Sequence, residues 1–427
     1  MPAAQMRDTA THFSYVEGAL QVDGVPLEAI AAAVGTPCYV YSRAAIEARW
    51  LAYDRAFGTR THRVCYAVKA NDNLSIVRCL SLLGAGFDIV SGGELARVLA
   101  SGAAAKDVVF SGVGKTVPEI EHALAHGVGC INVESAAEIE RIAAAASRAG
   151  VRAAVAVRVN PDIDAGTHPY ISTGLKENKF GVPIDEAVAL YRDIKAAPML
   201  QPRGVACHIG SQLTSIAPVV DAVREVVGLA TALAAEGIDV EHIDVGGGLG
   251  IRYRDESPPR IAELVAALCA IVPERYTITL EPGRSIVGEA GVLLARVEYV
   301  KQAGTRRFVI VDAAMNDLLR PALYDAWHEV RPCNERRLTE PQSMCDVVGP
   351  ICESGDWLAR GRALAARPGD LLSFMDAGAY GFAMASNYNA RPRPAEVLIQ
   401  DCAFRLIRAR ERTAELLANE QNLLISE

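Results

Sequence analysis

The amino-acid sequence predicts an α/β fold, in which a (β/α)8 TIM-type barrel is joined to a second, β-rich domain. In the middle of the chain, eight strand-like runs alternate with helix-length segments. After about residue 285 the alternation stops, and strand-like runs follow one another with only turns and loops between them. Eight regular βα units match a (β/α)8 barrel in number and size. We therefore expect the barrel at residues 37–285 and a second domain built from residues 1–36 and 286–427.

The barrel elements are predicted from hydrophobic runs and from the polar residues that separate them. A leading helix is expected near residues 44–56, and the eight strand-like runs are 63–68, 86–90, 108–111, 129–133, 153–159, 203–209, 241–245 and 276–280. Ser91 with Glu94, and Ser135 with Glu138, are typical of capping boxes that begin helices. An open, doubly wound sheet is the structural alternative. The absence of a nucleotide-binding fingerprint among eight regular units favours the barrel.

The second domain is predicted from strand-like runs that lack helical spacers. Near the N-terminus, residues 13–15 and 20–22 suggest short strands and residues 27–34 a helix. Toward the C-terminus the strand-like runs are 292–300, 307–311, 345–348, 370–374 and 395–399. A final amphipathic helix is expected at about residues 404–419.

Composition excludes several classes of protein. The net charge of −8 is spread in mixed sign without a basic block, which argues against nucleic acid as a partner. No apolar run is long enough for a membrane span, and the first residues show no apolar run behind a basic start, so we expect no signal peptide. The ten cysteines show neither a CxxC pair nor the spacing of metal ligands. This pattern favours reduced thiols in a cytoplasmic protein and predicts no metal site.

Lys69 is the first candidate for chemistry. It follows a β-prone run and precedes a predicted helix, so it lies at the C-terminal end of a barrel strand, where barrel enzymes place their active sites. Apolar neighbours would depress the pKa of its ammonium group by desolvation. A neutral amine can form a Schiff base with a carbonyl cofactor. The alternative is an ordinary solvated lysine.

Polar residues or glycines follow every one of the eight predicted strands, so one barrel mouth would collect them. They are Lys69, Asp88, Ser91, Ser111, Asn132, Glu134, Arg158, Asn160, His208, Ser211, Gly246, Gly247, Gly248, Glu281 and Arg284. The three glycines predict a backbone nest for a phosphate, with tight turns as the alternative. Glu281 suits the protonated nitrogen of a pyridine ring. His208 can lie flat on that ring, or it can be a satisfied histidine of the core.

Nine motifs in one order give the sequence a specific resemblance. They are 66–71 (YAVKAN), 88–94 (DIVSGGE), 208–212 (HIGSQ), 246–250 (GGGLG), 281–284 (EPGR), 320–324 (RPALY), 349–356 (GPICESGD), 378–381 (GAYG) and 387–394 (NYNARPRP). With these motifs the chain resembles the fold-type III pyridoxal-phosphate-dependent decarboxylases, over nearly its whole length. Within that family it is most similar to the branch that acts on meso-2,6-diaminopimelate. The resemblance implies decarboxylation of this substrate at its D-centre to L-lysine and CO2, the last step of lysine biosynthesis.

The resemblance also implies roles for individual residues. Lys69 would hold pyridoxal 5'-phosphate as a Schiff base (an aldimine), His208 would pack on the ring, and Glu281 would pair with the ring nitrogen. The remaining cofactor residues would be Asp88, Arg158, Ser211, Gly247, Gly248, Gly283, Arg284 and Tyr380. The substrate residues would be Arg284, Arg320, Tyr324, Glu353 and Tyr380. Cys352 would return a proton to the carbanion. In this family the counterparts of Cys352 and Glu353 come from the partner of a homodimer, and the resemblance implies that residues 168–174, with Lys176 and Lys179, would form a mobile region near the mouth.

Three other functions are compatible with the same fold type. Ornithine or arginine decarboxylation needs no site for a distal carboxylate, so Arg284 and Arg320 together with Glu353 argue against it. An alanine racemase gains from a weaker electron sink, so Glu281 argues against that activity. A cofactor-binding regulatory protein without catalysis is disfavoured by the presence of both Lys69 and Cys352.

Overall fold

A computed structural model of the chain describes residues 12–163, 179–421 and 423–424. The chain forms two compact units: residues 47–286 make up one, and residues 1–46 with 287–427 make up the other. The first boundary lies later than the predicted residue 37, because the strand Cys38–Ser42 pairs with strands Gly291–Ala303 and Ala395–Gln400 of the second unit. The helix Arg43–Phe57 follows that strand directly.

The first unit is built on a closed, parallel, eight-stranded barrel, which confirms the predicted fold class. In chain order its strands are His62–Ala67, Gly86–Ile89, Val108–Phe110, Cys130–Val133, Ala153–Asn160, Leu200–Cys207, His242–Asp244 and Thr277–Leu280. Each strand pairs with the next, and the eighth pairs with the first through Ile278–His62, Thr279–Arg63 and Leu280–Val64. A two-residue strand, Val182–Pro183, extends the sheet beside the fifth strand. Parallel pairing of consecutive strands brings all eight C-terminal ends to one rim.

Helices connect the barrel strands as the sequence predicts. They are Leu74–Leu82, Gly92–Ala100, Val117–His126, Ala136–Ala149, Ile184–Ala196, Ala217–Ala235 and Ile261–Ile271. Ser91 caps its helix, but the Glu94 carboxylate accepts from the N–H of Val90 rather than from that of Ser91. The predicted capping box is therefore only half formed there. The same displacement occurs at Ser135, because Glu138 accepts from the N–H of Glu134.

The second unit is mostly sheet. Strands Phe13–Val16, Ala19–Val22 and Val25–Pro26 form a three-stranded antiparallel sheet, followed by the helix Leu27–Val34. A larger sheet runs in the order Trp357–Leu364, Ser343–Val348, Arg306–Val311, Gly291–Ala303, Cys38–Ser42, Ala395–Gln400 and Ala403–Arg408. Leu371–Phe374 pairs with Gly291–Ala303 and with Val330–Pro332. The remaining short helical turns are Val68–Ala70, Ala105–Asp107, Arg284–Val287, Arg320–Tyr324, Arg336–Thr339, Phe382–Met384, Tyr388–Ala390 and Thr413–Leu417.

The predicted C-terminal helix is wrong over most of its length. Residues Ala403–Arg408 form a strand, and a helix occupies only Thr413–Leu417. The strand pairs antiparallel with Ala395–Gln400, whose side chains Val397 and Ile399 lie in the hydrophobic core. Backbone hydrogen bonds to a buried neighbour thus outweigh the local helical pattern. Among the residues described, no helix is long and apolar enough to cross a membrane.

Candidate active site

Lys69 lies directly after the first barrel strand, at the rim that the sequence predicts. Its Nζ donates to Oδ2 of Asp88, at the second strand, over 3.0 Å. The lysine side chain is 40% exposed, whereas the carboxylate of Asp88 is fully buried. The expectation of a dry, apolar surrounding for Lys69 is therefore wrong: a buried carboxylate positions an accessible amine. Oδ1 of Asp88 has no hydrogen-bond partner among the described residues.

Glu281 follows the eighth strand and is hydrogen-bonded to Asp244, the last residue of the seventh. Burial, followed by the negative charges of Asp244 and Asp88, raises the pKa of Glu281 well above its ordinary value. Oε1 of Glu281 is buried and has no partner within the described part of the chain. A buried carboxyl oxygen that has no donor in the protein can accept a hydrogen bond from an N–H group of a bound ligand.

His208 follows the sixth strand, and its neighbours fix its protonation. Its Nδ1 accepts a hydrogen bond from the backbone N–H of Gly247 over 3.3 Å. Desolvation, followed by the positive charges of Arg158 and Lys69, lowers the pKa of His208 well below its ordinary value. The ring is therefore neutral at physiological pH, as an imidazole that packs on another ring can be.

The glycines after the seventh and eighth strands allow close backbone approach. A Cβ on Gly247 would lie 2.3 Å from the carbonyl oxygen of Glu281, and one on Gly248 would lie 2.4 Å from that of Gly210. A Cβ on Gly283 would lie 2.9 Å from the Cβ of Ala70. No side chain fits at these positions. The exposed backbone amides suit an anion such as a phosphate.

Arg284 and Ser211, which the sequence predicts beside the phosphate, are in contact. Nη2 of Arg284 donates to Oγ of Ser211 over 3.0 Å, and Nη1 donates to the hydroxyl of Tyr253 over 2.8 Å. Arg284 is 7% exposed. Tyr253 was not predicted; it lies in the loop after the glycines, and only the folded chain brings it to the arginine.

Arg158, at the fifth strand, is held by a neighbouring carboxylate. Its Nη1 donates to Oε1 of Glu134 over 3.0 Å, and Oε2 of Glu134 accepts the N–H of Gly181 over 2.6 Å. The charge of Arg158 reaches His208, whose pKa it helps to lower. Arg158 thus influences the protonation of His208 through its positive charge. The predicted region at 168–174, with Lys176, lies outside the described residues, and the described Lys179 stacks its Nζ over the ring of Phe180 at 5.2 Å.

The second unit carries the other predicted residues, beginning with Arg320. Nη1 of Arg320 lies 2.8 Å from Nε2 of His328, and Nδ1 of His328 lies 2.8 Å from the carbonyl oxygen of Met375. A carbonyl can only accept, so Nδ1 carries the proton and Nε2 accepts from the arginine. Both side chains are buried. His328 was missed, because a lone histidine in a loop gives no sequence signal of its own.

Cys352 and Glu353 are exposed in a loop held by the 387–394 motif. Oδ1 of Asn389 accepts the N–H of Cys352 over 3.0 Å, and the hydroxyl of Tyr388 donates to Glu353 over 3.4 Å. Tyr324 ends the short helix that begins at Arg320 and is half-buried. Tyr380 is half-buried in the turn after Leu371–Phe374 and has φ of +56°.

An amine beside a carboxylate, a partnerless buried carboxyl oxygen and a bare glycine backbone meet the three needs of a pyridoxal phosphate: its aldehyde, its ring nitrogen and its phosphate. Fold and site together define a pyridoxal-phosphate-dependent enzyme. Residues 43–288 match the family described as "Pyridoxal-dependent decarboxylase, pyridoxal binding domain".

Comparison with full-length relatives identifies the branch of this class to which the chain belongs. The chain is 54% identical to diaminopimelate decarboxylase of Pseudomonas aeruginosa over 96% of this chain and 99% of that protein. It is 53% identical to the Neisseria meningitidis protein of the same name, over 93% and 97%. The crystal structure of diaminopimelate decarboxylase from Helicobacter pylori complexed with L-lysine matches with a TM-score of 0.90 at 43% identity, covering 93% of this chain and 100% of that one. The chain belongs to the diaminopimelate decarboxylase family, and it is a pyridoxal-phosphate-dependent decarboxylase.

Proposed function

We propose that the protein decarboxylates meso-2,6-diaminopimelate at its D-centre to L-lysine and CO2, the last step of lysine biosynthesis. The observation that carries this proposal is the set of Lys69, Asp88 and Glu281 around the barrel rim, in a chain whose full-length relatives bear the corresponding name. The Helicobacter pylori relative was crystallised with L-lysine, which is the proposed product.

The residues that would hold the cofactor are those gathered at the rim. We assign to it Lys69, Asp88, Arg158, His208, Ser211, Gly247, Gly248, Glu281, Gly283, Arg284 and Tyr380. Bound pyridoxal phosphate supplies an electron sink for the electrons of the bond that breaks. Asp88 holds the amine of Lys69 in place, neutral His208 offers a flat face, and Glu281 stabilises a positive ring nitrogen. Ser211, fixed by Arg284, presents a hydroxyl beside the glycine backbone.

The far end of the substrate carries both a carboxylate and an ammonium group, and the chain has side chains for each. We assign this end to Arg284, Arg320, Tyr324, Glu353 and Tyr380. A guanidinium binds a carboxylate through two parallel hydrogen bonds, and a glutamate binds an ammonium. His328 accepts from Nη1 of Arg320 and so orients its guanidinium. A substrate without a distal carboxylate would offer these two arginines no anionic acceptor.

The substrate is tested by measuring CO2 release from meso-diaminopimelate, D-ornithine, L-ornithine and L-arginine, each offered separately. We expect release from meso-diaminopimelate and background rates from the other three, because these lack the second carboxylate that the arginines would bind. Turnover confined to the amino acids without a second carboxylate would overturn the assignment.

We further propose that the enzyme is a homodimer in which Cys352 and Glu353 serve the barrel of the partner. The family resemblance and the exposure of both residues on the second unit support this arrangement. Mixing inactive Lys69→Ala and Cys352→Ala chains should then restore activity at roughly a quarter of the sites, because half of the dimers are mixed and each holds one intact site. Mixtures without activity would contradict shared sites.

Replacing Cys352 with alanine should lower kcat by about 10²–10⁴-fold, because the proton for the carbanion would have to come from water. Binding of pyridoxal phosphate, followed by its absorption, should remain as in the wild type. Cys402→Ala is the matched control, since both thiols are exposed and unbridged. Equal kcat for both variants would exclude Cys352 as the proton donor.

The location of the protein is also a proposal. All ten cysteines are free thiols, and most of them are buried. Unbridged cysteines in such number support a reducing, cytoplasmic compartment.

A further inference from the structure

The carboxyl groups of Asp244 and Glu281 form a hydrogen-bonded pair. Two ionised carboxylates repel, so a pair in this contact shares one proton. Oδ1 of Asp244 accepts the N–H of Gly246 over 2.9 Å, and Oδ2 accepts the amide of Asn132 over 3.2 Å. Oε1 of Glu281 receives no donor from the described residues. Because the described donors stabilise negative charge on Asp244, this arrangement favours the proton on Glu281.

Asn132 is held in place by Ser111, the residue that follows the third barrel strand. Its amide nitrogen also donates to Oγ of Ser111 over 3.1 Å. Ser111, Asn132, Asp244 and Glu281 thus form a chain across the ends of the third, fourth, seventh and eighth strands. The proposed function uses only the last member of this chain. The other three residues determine the charge of the carboxyl group that contacts Glu281.

The surroundings favour the shared proton. Burial raises the pKa of Asp244 to about 6 and is also the main cause of the raised pKa of Glu281. Asp88 raises the pKa of Glu281 further, and Lys69 lowers it. Among the described residues, the thiols of Cys65, Cys130 and Cys207 also interact electrostatically with the pair; burial raises their pKa values, so that they stay neutral.

We propose that Asp244 is a positioning residue that keeps Glu281 protonated until the ring nitrogen of the cofactor reaches Oε1. This inference rests on the proposed role of Glu281. The proton of Glu281 passes to a ring nitrogen that arrives unprotonated, and it is released to water when the nitrogen arrives protonated. In both cases the Glu281 carboxylate then pairs with a positive ring. Before binding, a neutral Glu281 avoids a further buried negative charge beside Asp244 and Asp88.

Infrared spectroscopy of the cofactor-free protein tests the proposal, because a protonated carboxyl group has a C=O stretching band distinct from that of a carboxylate. Glu94 and Asp317 also have pKa values raised to about 7, so the band of Glu281 is taken as the difference between wild type and Glu281→Gln. We expect this band in the wild type at neutral pH. Its absence there would overturn the inference.

Two variants change the band of Glu281 in different ways if Asp244 acts as proposed. Asp244→Asn removes the charge that holds the proton, so the pH at which the band disappears should fall by at least about one unit. Asn132→Ala removes a donor that stabilises the charge of Asp244, so the shared proton should move toward Asp244 and the band of Glu281 should weaken. Asp221→Asn, on the exposed face of the helix Ala217–Ala235, should leave it unchanged. Identical titrations of the wild type and both barrel variants would contradict the role of Asp244.

Added ligands separate this inference from the proposed function. Pyridoxal phosphate should abolish the band of Glu281, whereas an analogue with C–H in place of the ring nitrogen should leave it. The same response to both compounds would contradict the placement of Glu281 at the ring nitrogen. A response specific to pyridoxal phosphate, combined with an unshifted titration of Asp244→Asn, would contradict the role of Asp244 alone.

Discussion

Replacing Lys69 with alanine should abolish the visible absorption band of the bound cofactor and lower kcat by more than about 10²–10⁴-fold, the range lost with a single acid–base group. The ε-amino group is the proposed nucleophile toward the cofactor aldehyde, and Asp88 holds it in place from 3.0 Å. The alanine variant lacks the amino group that would bond covalently to the cofactor and that could also carry a proton. The absorption of the purified protein, with and without added pyridoxal phosphate, measures the first effect, and CO2 release measures the second.

Lys106→Ala provides the control for this variant, because Lys106 is exposed in a turn before the third barrel strand. It should match the wild type in colour and in rate. A Lys69→Ala protein that still carried covalently attached, reduced cofactor after treatment with borohydride and unfolding would show that a different amine holds the cofactor.

Replacing Gly247 with alanine should weaken the binding of pyridoxal phosphate by about 10–10²-fold, the cost of losing a hydrogen bond to the charged phosphate, about 1.5–3 kcal/mol. The new Cβ would lie 2.3 Å from the carbonyl oxygen of Glu281 and 3.0 Å from its carbonyl carbon. Both are backbone atoms, so the glycine turn or the end of the eighth strand must move. Titration with pyridoxal phosphate, followed by absorbance, measures the affinity. Tm of the cofactor-free protein should also fall.

Gly228→Ala separates this local clash from a general effect of the substitution. Gly228 lies inside the helix Ala217–Ala235, and a Cβ there meets nothing within 4 Å. Alanine should stabilise this helix by about 0.5–1 kcal/mol and leave cofactor affinity unchanged. Equal affinities for Gly247→Ala and the wild type would argue against a phosphate at the glycine turn.

The barrel was predictable because its signal is local and repeated. Each strand is a short apolar run, and each helix has its own period, in several cases with its own cap, so an error at one element leaves the others intact. Lys69, Asp88, His208 and Glu281 then follow from their position at or just after the C-terminal ends of strands that share one rim. The final helix was mispredicted for the opposite reason. Residues Ala403–Arg408 become a strand because Ala395–Gln400 offers them a backbone edge, which no local pattern reveals.

The sequence by itself determined which residue types reach the barrel rim, because the order of strands and helices fixes where each strand ends. Tertiary structure decided how those residues act on one another. Asn132 and Asp244 are 112 positions apart, yet their hydrogen bond helps to place the proton on Glu281. His328 orients Arg320 only because the carbonyl of Met375 sets its tautomer. Electrostatic and hydrogen-bonding effects depend on distance in space and on burial, and a folded chain supplies both.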